Sequence, residues 1–249
     1  MSSLDKWGAA SELYLVSSWH SNEVALEKMV TYSKFSGGKL LDIATGAGHA
    51  AYAFSPHVAQ VVATDISPGM LETTQKEAHA RGITNLSVEI ADAMCLPFEE
   101  QSFDWIVCRV AAHHFIEPQK FLEECHRVLK RDGELLLIDT TGTEKSKPDE
   151  LLDELERKRD PSHIRNHSTF AWMNMIDKVG FTILKLSTQP KPIRMEEWLN
   201  RTNVNEPMRT ELRQLVSESE GEFRRYLKPS GEAENIIFYL NETTFLLKK

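Results

Sequence analysis

The sequence predicts an α/β fold built on a doubly wound, mostly parallel sheet with helical cap insertions. Between Lys39 and Asp139 short apolar runs alternate with amphipathic segments, the signature of consecutive βα units. The first run leads into a small-residue loop, Ala44-Thr45-Gly46-Ala47-Gly48, placed as ligand-binding turns are in open α/β sheets. The chain has 249 residues, 41% hydrophobic and 27% charged, enough for one globular domain carrying a small cap.

The strands are read in order as KLLDIA (39–44), QVVATD (60–65), LSVEIAD (86–92), FDWIVCRV (103–110) and ELLLID (134–139). Each is short and apolar on both sides of its period, as in strands covered on both faces. Ser67-Pro68 places a capping hydroxyl before a proline at the first helical position. Glu117-Pro118 opens a helix whose Phe121, Leu122, Cys125, Val128 and Leu129 form one stripe, ending near Asp132-Gly133. Pro56 stops the helix after Gly48. FTILKLS (181–187) reads as a further strand, and NIIFYL with TTFLLKK as a closing strand or hairpin, in a Rossmann-like sheet of seven strands. Residues 9–34 and 170–179 read as helices, and 195–220 as polar helices. A single domain is therefore expected over 1–249. Its core covers about 36–140, 180–187 and 232–249, and its cap comes from 1–35, 141–179 and 190–230.

Composition narrows the partners. Lys and Arg total 29 against 37 Asp and Glu, a formal charge of −8, which argues against a phosphate-backbone surface. Cys95, Cys108 and Cys125 have no metal-ligand spacing, so no metal site is expected and buried thiols are. The first residues lack a basic stretch followed by an apolar run, and no apolar stretch approaches a bilayer-spanning length. A cytoplasmic location is the expectation.

The most informative stretch is Leu41-Asp42-Ile43-Ala44-Thr45-Gly46-Ala47-Gly48-His49-Ala50-Ala51. Glycines let the backbone turn tightly and let a ligand approach where a Cβ would clash. Gly46-x-Gly48-x-x-Ala51 also fits a dinucleotide fingerprint, with Asp65 nineteen residues after Gly46, so a nicotinamide oxidoreductase is a rival reading. Asp42 weighs against it, because an acid before the turn repels a pyrophosphate at the helix N-terminus. It suits a cationic ligand such as S-adenosylmethionine, which carries an ammonium and a sulfonium but no phosphate. The plainer role for Asp42 is a carboxylate that organises the loop by accepting backbone N–H groups.

At this point the sequence resembles the class I S-adenosylmethionine-dependent methyltransferases of the UbiE-like type (methyltransferase type 11). Four further stretches carry the likeness in order: Ala63-Thr64-Asp65-Ile66-Ser67, Ala91-Asp92-Ala93-Met94-Cys95-Leu96-Pro97-Phe98, Phe103-Asp104-Trp105-Ile106-Val107 running into Cys108-Arg109-Val110, and His126-Arg127-Val128-Leu129-Lys130-Arg131-Asp132-Gly133. The segments RVAAHHF (109–115) and RDPSH (159–163) are similar to the bacterial YcgJ-like subgroup. The resemblance implies that S-adenosylmethionine binds at Asp42, Ala44, Gly46, Gly48, Asp65, Ile66, Met70, Asp92, Ala93, Arg109 and Val110, leaving S-adenosylhomocysteine as product. In it Asp65 takes the ribose hydroxyls, and Asp92 with the following backbone N–H holds the adenine. The family usually has glycine where this chain has Ala44, a methyl tolerated if φ stays negative.

Methyl transfer from a sulfonium is an in-line displacement that needs alignment, exclusion of water and, for some acceptors, a base. His113 and His114 sit just past the fourth strand, where open sheets bind ligands. His114 is the candidate base, with packing or carbonyl capping as the alternative role. His163, near Arg159, Asp160 and Arg165, is the second candidate, against a solvated charged turn. Trp7, Tyr14, Trp19, Trp172 and Trp198 fall in the expected cap, where burying cap helices is favoured over clamping a flat substrate. The function expected is methyl transfer to an O, N or C atom of a small molecule. A non-catalytic protein that binds the same cofactor is the alternative from another class.

Overall fold

The structure, a computed structural model, describes residues 15, 21–202 and 204–249. Trp7, Tyr14 and Trp19 lie outside these residues. The elements run α1 (Glu23–Ser33), β1 (Lys39–Ile43), α2 (His49–Phe54), β2 (Gln60–Asp65), α3 (Pro68–Ala80), β3 (Leu86–Ile90), β4 (Phe103–Arg109), α4 (Pro118–Val128), β5 (Leu129–Thr141), α5 (Ser146–Arg159), α6 (Thr169–Val179), β6 (Thr182–Arg194), α7 (Met195–Asn200), α8 (Glu206–Ser217), α9 (Gly221–Leu227) and β7 (Ile237–Lys248).

One seven-stranded sheet takes the order β3-β2-β1-β4-β5-β7-β6. The first five strands are parallel, and β7 runs antiparallel between β5 and β6. Successive residues in the central strands feed opposite faces, as the pleat requires. Leu41, Ile43, Ile106, Cys108, Leu135 and Leu137 pack beneath α4 and α6 with Phe121, Leu122, Cys125 and Trp172. Leu40, Val61, Ala63, Val107, Leu136 and Ile138 pack with Met29, Phe35, Phe54 and Ala78 from α1 to α3. Burying each such side chain contributes about 1.5–3 kcal/mol before the entropy of ordering it. The strand order reverses between the parallel neighbours β1 and β4, so a crevice opens beyond the carboxyl ends of those strands.

Three local expectations change. The α4 helix ends at Val128, and Leu129 already pairs with Phe103 in the sheet across an irregularity. The strand therefore absorbs Asp132-Gly133, where a Cβ on Gly133 would lie 2.8 Å from the Leu129 side chain and 3.0 Å from the Asp104 carbonyl oxygen. The β6 strand continues past residue 187 to Arg194, paired with β7 after an irregularity between Ile183 and Lys185. Pro190 and Pro192 are tolerated because β6 is an edge strand, where a missing N–H costs no ladder bond. The α6 helix packs on α4 and the sheet through Trp172 and Ile176 rather than over the crevice, since its apolar stripe needs the covered face.

A third cluster lies beyond the strand ends. Leu152 and Leu155 of α5, Trp198 and Leu199 of α7, Leu212 and Val216 of α8, and Phe223 of α9 pack with Ile193 and Phe238. The long β6–β7 ribbon carries this layer over the crevice. Among the described residues, no helix is long and apolar enough to cross a membrane.

Candidate functional site

The crevice is a cavity of about 570 Å³, within the ordinary range for small-molecule sites. Its floor begins at Asp42, which is 1% exposed at the end of β1. Asp42 Oδ2 accepts hydrogen bonds from Thr45 Oγ1 at 2.6 Å and from the Ala51 backbone N–H at 3.0 Å. The carboxylate thus organises the loop, the plainer of its two expected roles, and it also lines the cavity. Burial pushes its pKa up to about 7, against the lowering effect of those bonds and of Arg109.

Gly46 has φ 55° and open space where a Cβ would stand, while Gly48 has φ 86° and packs against Tyr52 and Thr74. A Cβ on Gly48 would fall 2.4 Å from the Tyr52 ring, so only glycine fits. Gly46 lines the cavity and Gly48 supports it from behind. Ala44 departs from the expected negative φ: it sits at φ 53°, forced left-handed because Thr45 N–H must donate to Thr64 O at 2.8 Å. That conformation costs an L-residue roughly 1–2 kcal/mol. Ala44→Gly is therefore expected to raise unfolding stability by about 1 kcal/mol, read as a higher denaturant midpoint at unchanged slope; an equal or lower midpoint would contradict the strain.

From the ends of β2 and β3 come Asp65, Ile66, Met70, Asp92 and Ala93, all lining the cavity. Asp65 accepts from Gly46 N–H and Ser67 N–H, both at 2.9 Å; burial raises its pKa against these bonds. Asp92 accepts from Met94 N–H at 2.8 Å. Ser67 does head α3, but its hydroxyl makes no capping bond and, among the described residues, has no partner. Its N–H is engaged by Asp65, which holds the residue as a loop anchor instead.

Beyond β4 the chain passes through Val110 at φ 55°, an uncommon conformation for a β-branched residue. Its N–H donates to Ile138 O at 2.7 Å. The turn delivers His113 beside Asp139 at the end of β5. His113 Nδ1 lies 2.7 Å from Asp139 Oδ1, and His113 N–H donates to Asp139 Oδ2 at 2.9 Å. Asp139 is 2% exposed and also accepts from Thr140 N–H. Burial alone would raise Asp139 and lower His113, but their mutual attraction wins: the carboxyl is held below its usual range and the imidazole above its own. Because an ionised Asp139 only accepts, Nδ1 carries the proton and Nε2 is the basic nitrogen.

His114 lines the same cavity, yet its Nδ1 is committed to Ser162 O at 3.1 Å. Burial first, then the neighbouring His113, hold its pKa well below the imidazole range. His163 is 2% exposed and bonds Asp153 Oδ1 through Nε2 at 2.9 Å. It stands behind the wall, 5.5 Å ring to ring from His113, and is not among the lining residues.

The sequence reading missed Asp139 as a site residue and took no account of Glu156, Arg201 or Asn166. A signal for Asp139 existed: an acid ending the strand adjacent to one followed by two histidines must meet them across a parallel ladder. Trp198 lines the cavity while packed beneath Arg159 at 4.7 Å, and Trp172 is core. Packing thus describes Trp172, while Trp198 packs in the cap cluster and also lines the cavity.

The methyltransferase domain family matches residues 41–137. The uncharacterized methyltransferase YcgJ of Bacillus subtilis (strain 168) is 39% identical over 163 residues, spanning 66% of this chain and 64% of its own length. The demethylmenaquinone methyltransferase of Clavibacter sepedonicus is 36% identical over 104 residues, 42% of each chain. The sequence matches thus span less than two thirds of these relatives. In three dimensions the likeness is longer. The YcgJ structure superposes with a TM-score of 0.84 at 31% identity, over 91% of this chain and 98% of that one. A Bacillus halodurans C-125 chain gives a TM-score of 0.86 at 31% identity, over 91% and 99%. With an acid-lined glycine loop, this strand order and these relatives, the chain belongs to the S-adenosylmethionine-dependent methyltransferases, together with YcgJ.

Proposed function

We propose that the protein transfers a methyl group from S-adenosylmethionine to an O, N or C atom of a small molecule held in the same cavity. The observation that carries this reading is the excess of acids: Asp42, Asp65 and Asp92 line the glycine-loop end of the cavity, against Arg109 as the neighbouring cation that acts on Asp42. A pyrophosphate meets net negative charge at such a wall, whereas an ammonium and a sulfonium find partners. Gly46, with open space in place of a Cβ, lets a ligand lie against the backbone. The residues therefore fit the cofactor.

In this assignment Asp42 faces the ammonium, and Ala44 and Gly46 shape the methionine trough. Asp65 takes the ribose hydroxyls through its remaining lone pairs, beside Ile66 and Met70. Asp92 and the Ala93 backbone hold the adenine, and Arg109 and Val110 stand where the cofactor and acceptor parts meet. The bound cofactor supplies an electrophilic methyl group. The protein's part is to align, to exclude water through the layer of α5 and α7 to α9, and to accept a proton. We assign the base to His113, held in one tautomer by Asp139, rather than to His114 or His163. His114 fixes the loop of residues 160–166, and His163 braces α5 through Asp153.

Asp42 gives a pH signature. Its pKa near 7 in the free protein means that it is protonated below that pH, where a cationic ligand must displace the proton. Affinity for S-adenosylhomocysteine, which keeps the ammonium, is expected to fall by up to about tenfold per pH unit below 7 and to level off above it. Flat affinity between pH 5.5 and 8 would remove Asp42 from the ammonium. The activity itself is tested with methyl-labelled S-adenosylmethionine and a panel of phenols, quinols, amines and acids. Labelled product with stoichiometric S-adenosylhomocysteine supports the proposal; no transfer to any class contradicts it.

A further inference from the structure

We infer that Asn166 selects the methyl acceptor, its side-chain amide donating to an oxygen placed beside the atom that receives the methyl group. The acceptor is then a hydroxy compound with a carbonyl or second oxygen next to its hydroxyl. The inference rests on the proposed methyl transfer and adds the feature by which the cavity recognises its second ligand. Asn166 is 2% exposed and lines the cavity. Its Nδ2 is buried and has no acceptor among the described residues. Leaving an amide N–H buried and unpaired is costly, and folded proteins pair nearly all such groups. No contact among the described residues offsets that cost, so the amide's partner is a molecule bound in the cavity.

The backbone at this position is held from several directions. Asn166 N–H donates to Asp153 Oδ1 at 2.9 Å, the same oxygen that lies 2.9 Å from His163 Nε2. Its carbonyl oxygen packs against Gly142, just past β5, where a Cβ would stand only 2.6 Å away. Gly142 N–H in turn donates to His167 O at 3.2 Å. The glycine therefore lets residue 166 come in against the strand end, and the buried Asp153–His163 pair fixes it there. The same stretch of chain is tied to the base. Ile164 N–H and Arg165 N–H both donate to His113 O, at 3.0 and 3.1 Å, and His113 lines the cavity too. A proton acceptor and a hydrogen-bond donor thus stand on two segments locked together. A ligand that presents its hydroxyl to His113 Nε2 meets the amide with the oxygen next to that hydroxyl. The torsion that orients an asparagine amide is broad, so its N–H groups can turn to that oxygen. A neutral amide suits a carbonyl, ether or hydroxyl oxygen. Phe115, Ile164, Trp198 and Leu240 also line the cavity, so the rest of the acceptor is an aromatic ring or a hydrocarbon.

The test joins binding to stability. Full-length protein saturated with S-adenosylhomocysteine is titrated by calorimetry with two matched pairs, 2-hydroxyacetophenone against 2-ethylphenol and catechol against phenol. In at least one pair the compound with the extra oxygen is expected to bind about tenfold or more tightly than its partner. Asn166→Leu should abolish that preference and leave S-adenosylhomocysteine affinity unchanged. The same variant should melt at or above the wild-type midpoint, because it removes a buried donor that has no partner among the described residues. An amide kept for the fold would do the reverse. If neither pair shows the preference in wild-type protein, if Asn166→Leu retains it, or if Asn166→Leu lowers the midpoint, the inference is overturned. Failure of S-adenosylhomocysteine to bind wild-type protein would instead overturn the methyltransferase reading, so the two failures are distinct.

Discussion

Replacing His113 with alanine is expected to slow turnover about 10²–10⁴-fold, the usual contribution of a positioned proton acceptor, with S-adenosylhomocysteine affinity nearly unchanged. The expectation follows from the 2.7 Å contact between His113 Nδ1 and Asp139 Oδ1, which fixes the tautomer and raises the imidazole's basicity. The sign in pH is set by the same contact. A base acts when unprotonated, so activity rises with pH through the His113 pKa, which lies above the ordinary 6.5. Asp139→Asn removes the carboxylate, so the acid limb should move to lower pH and the maximal rate should fall. A merely structural pair would change the melting midpoint without moving that limb. His114→Ala is the contrast: its imidazole is a weak base with Nδ1 already engaged, and its loss should be the smaller of the two. Equal losses at both positions would contradict the assignment to His113.

Asp65→Ala should weaken S-adenosylhomocysteine binding by about 100-fold or more, since two charge-assisted hydrogen bonds to ribose contribute roughly 1.5–3 kcal/mol each. Part of any loss would reflect the loop itself, because Gly46 N–H and Ser67 N–H both donate to this carboxylate. Leaving those donors buried without acceptors costs about 1–3 kcal/mol each, so a lower melting midpoint should accompany the change. Asp65→Asn separates the two effects. Its single amide oxygen can accept from only one of the two loop donors, Gly46 N–H or Ser67 N–H, so part of the stability should return while affinity stays reduced. Wild-type affinity in Asp65→Asn together with a stable fold would release Asp65 from the ribose.

The central sheet was legible because parallel strands covered on both faces must be short and apolar, and KLLDIA, QVVATD and FDWIVCRV can be little else. Where the sheet reaches its edge that rule weakens. The β6 strand is mostly exposed along its 13 residues, so PKPIR (190–194) reads as cap although it pairs with β7. The Asp132-Gly133 pair looked like a helix end because local turn chemistry does not reveal that Leu129 pairs with Phe103. Within the site, residues on one loop were visible together, and residues joined only by the fold were not. Asp42, Gly46 and Asp65 stood out from their spacing. Asp139 lies 26 residues from His113, and Arg201 reaches the cavity from a helix end in the cap layer, so neither carried a local motif. The left-handed φ of Ala44 also escaped, because it goes with the bond that ties Thr45 of the loop to Thr64 of β2.

The most direct test is calorimetric titration of the purified protein with S-adenosylmethionine, S-adenosylhomocysteine and NAD in parallel. Micromolar binding of both sulfur nucleosides and none of NAD is the result the acid-lined loop predicts. Binding of NAD alone would contradict the reading of Asp42, Asp65 and Asp92, and with it the proposed methyl transfer.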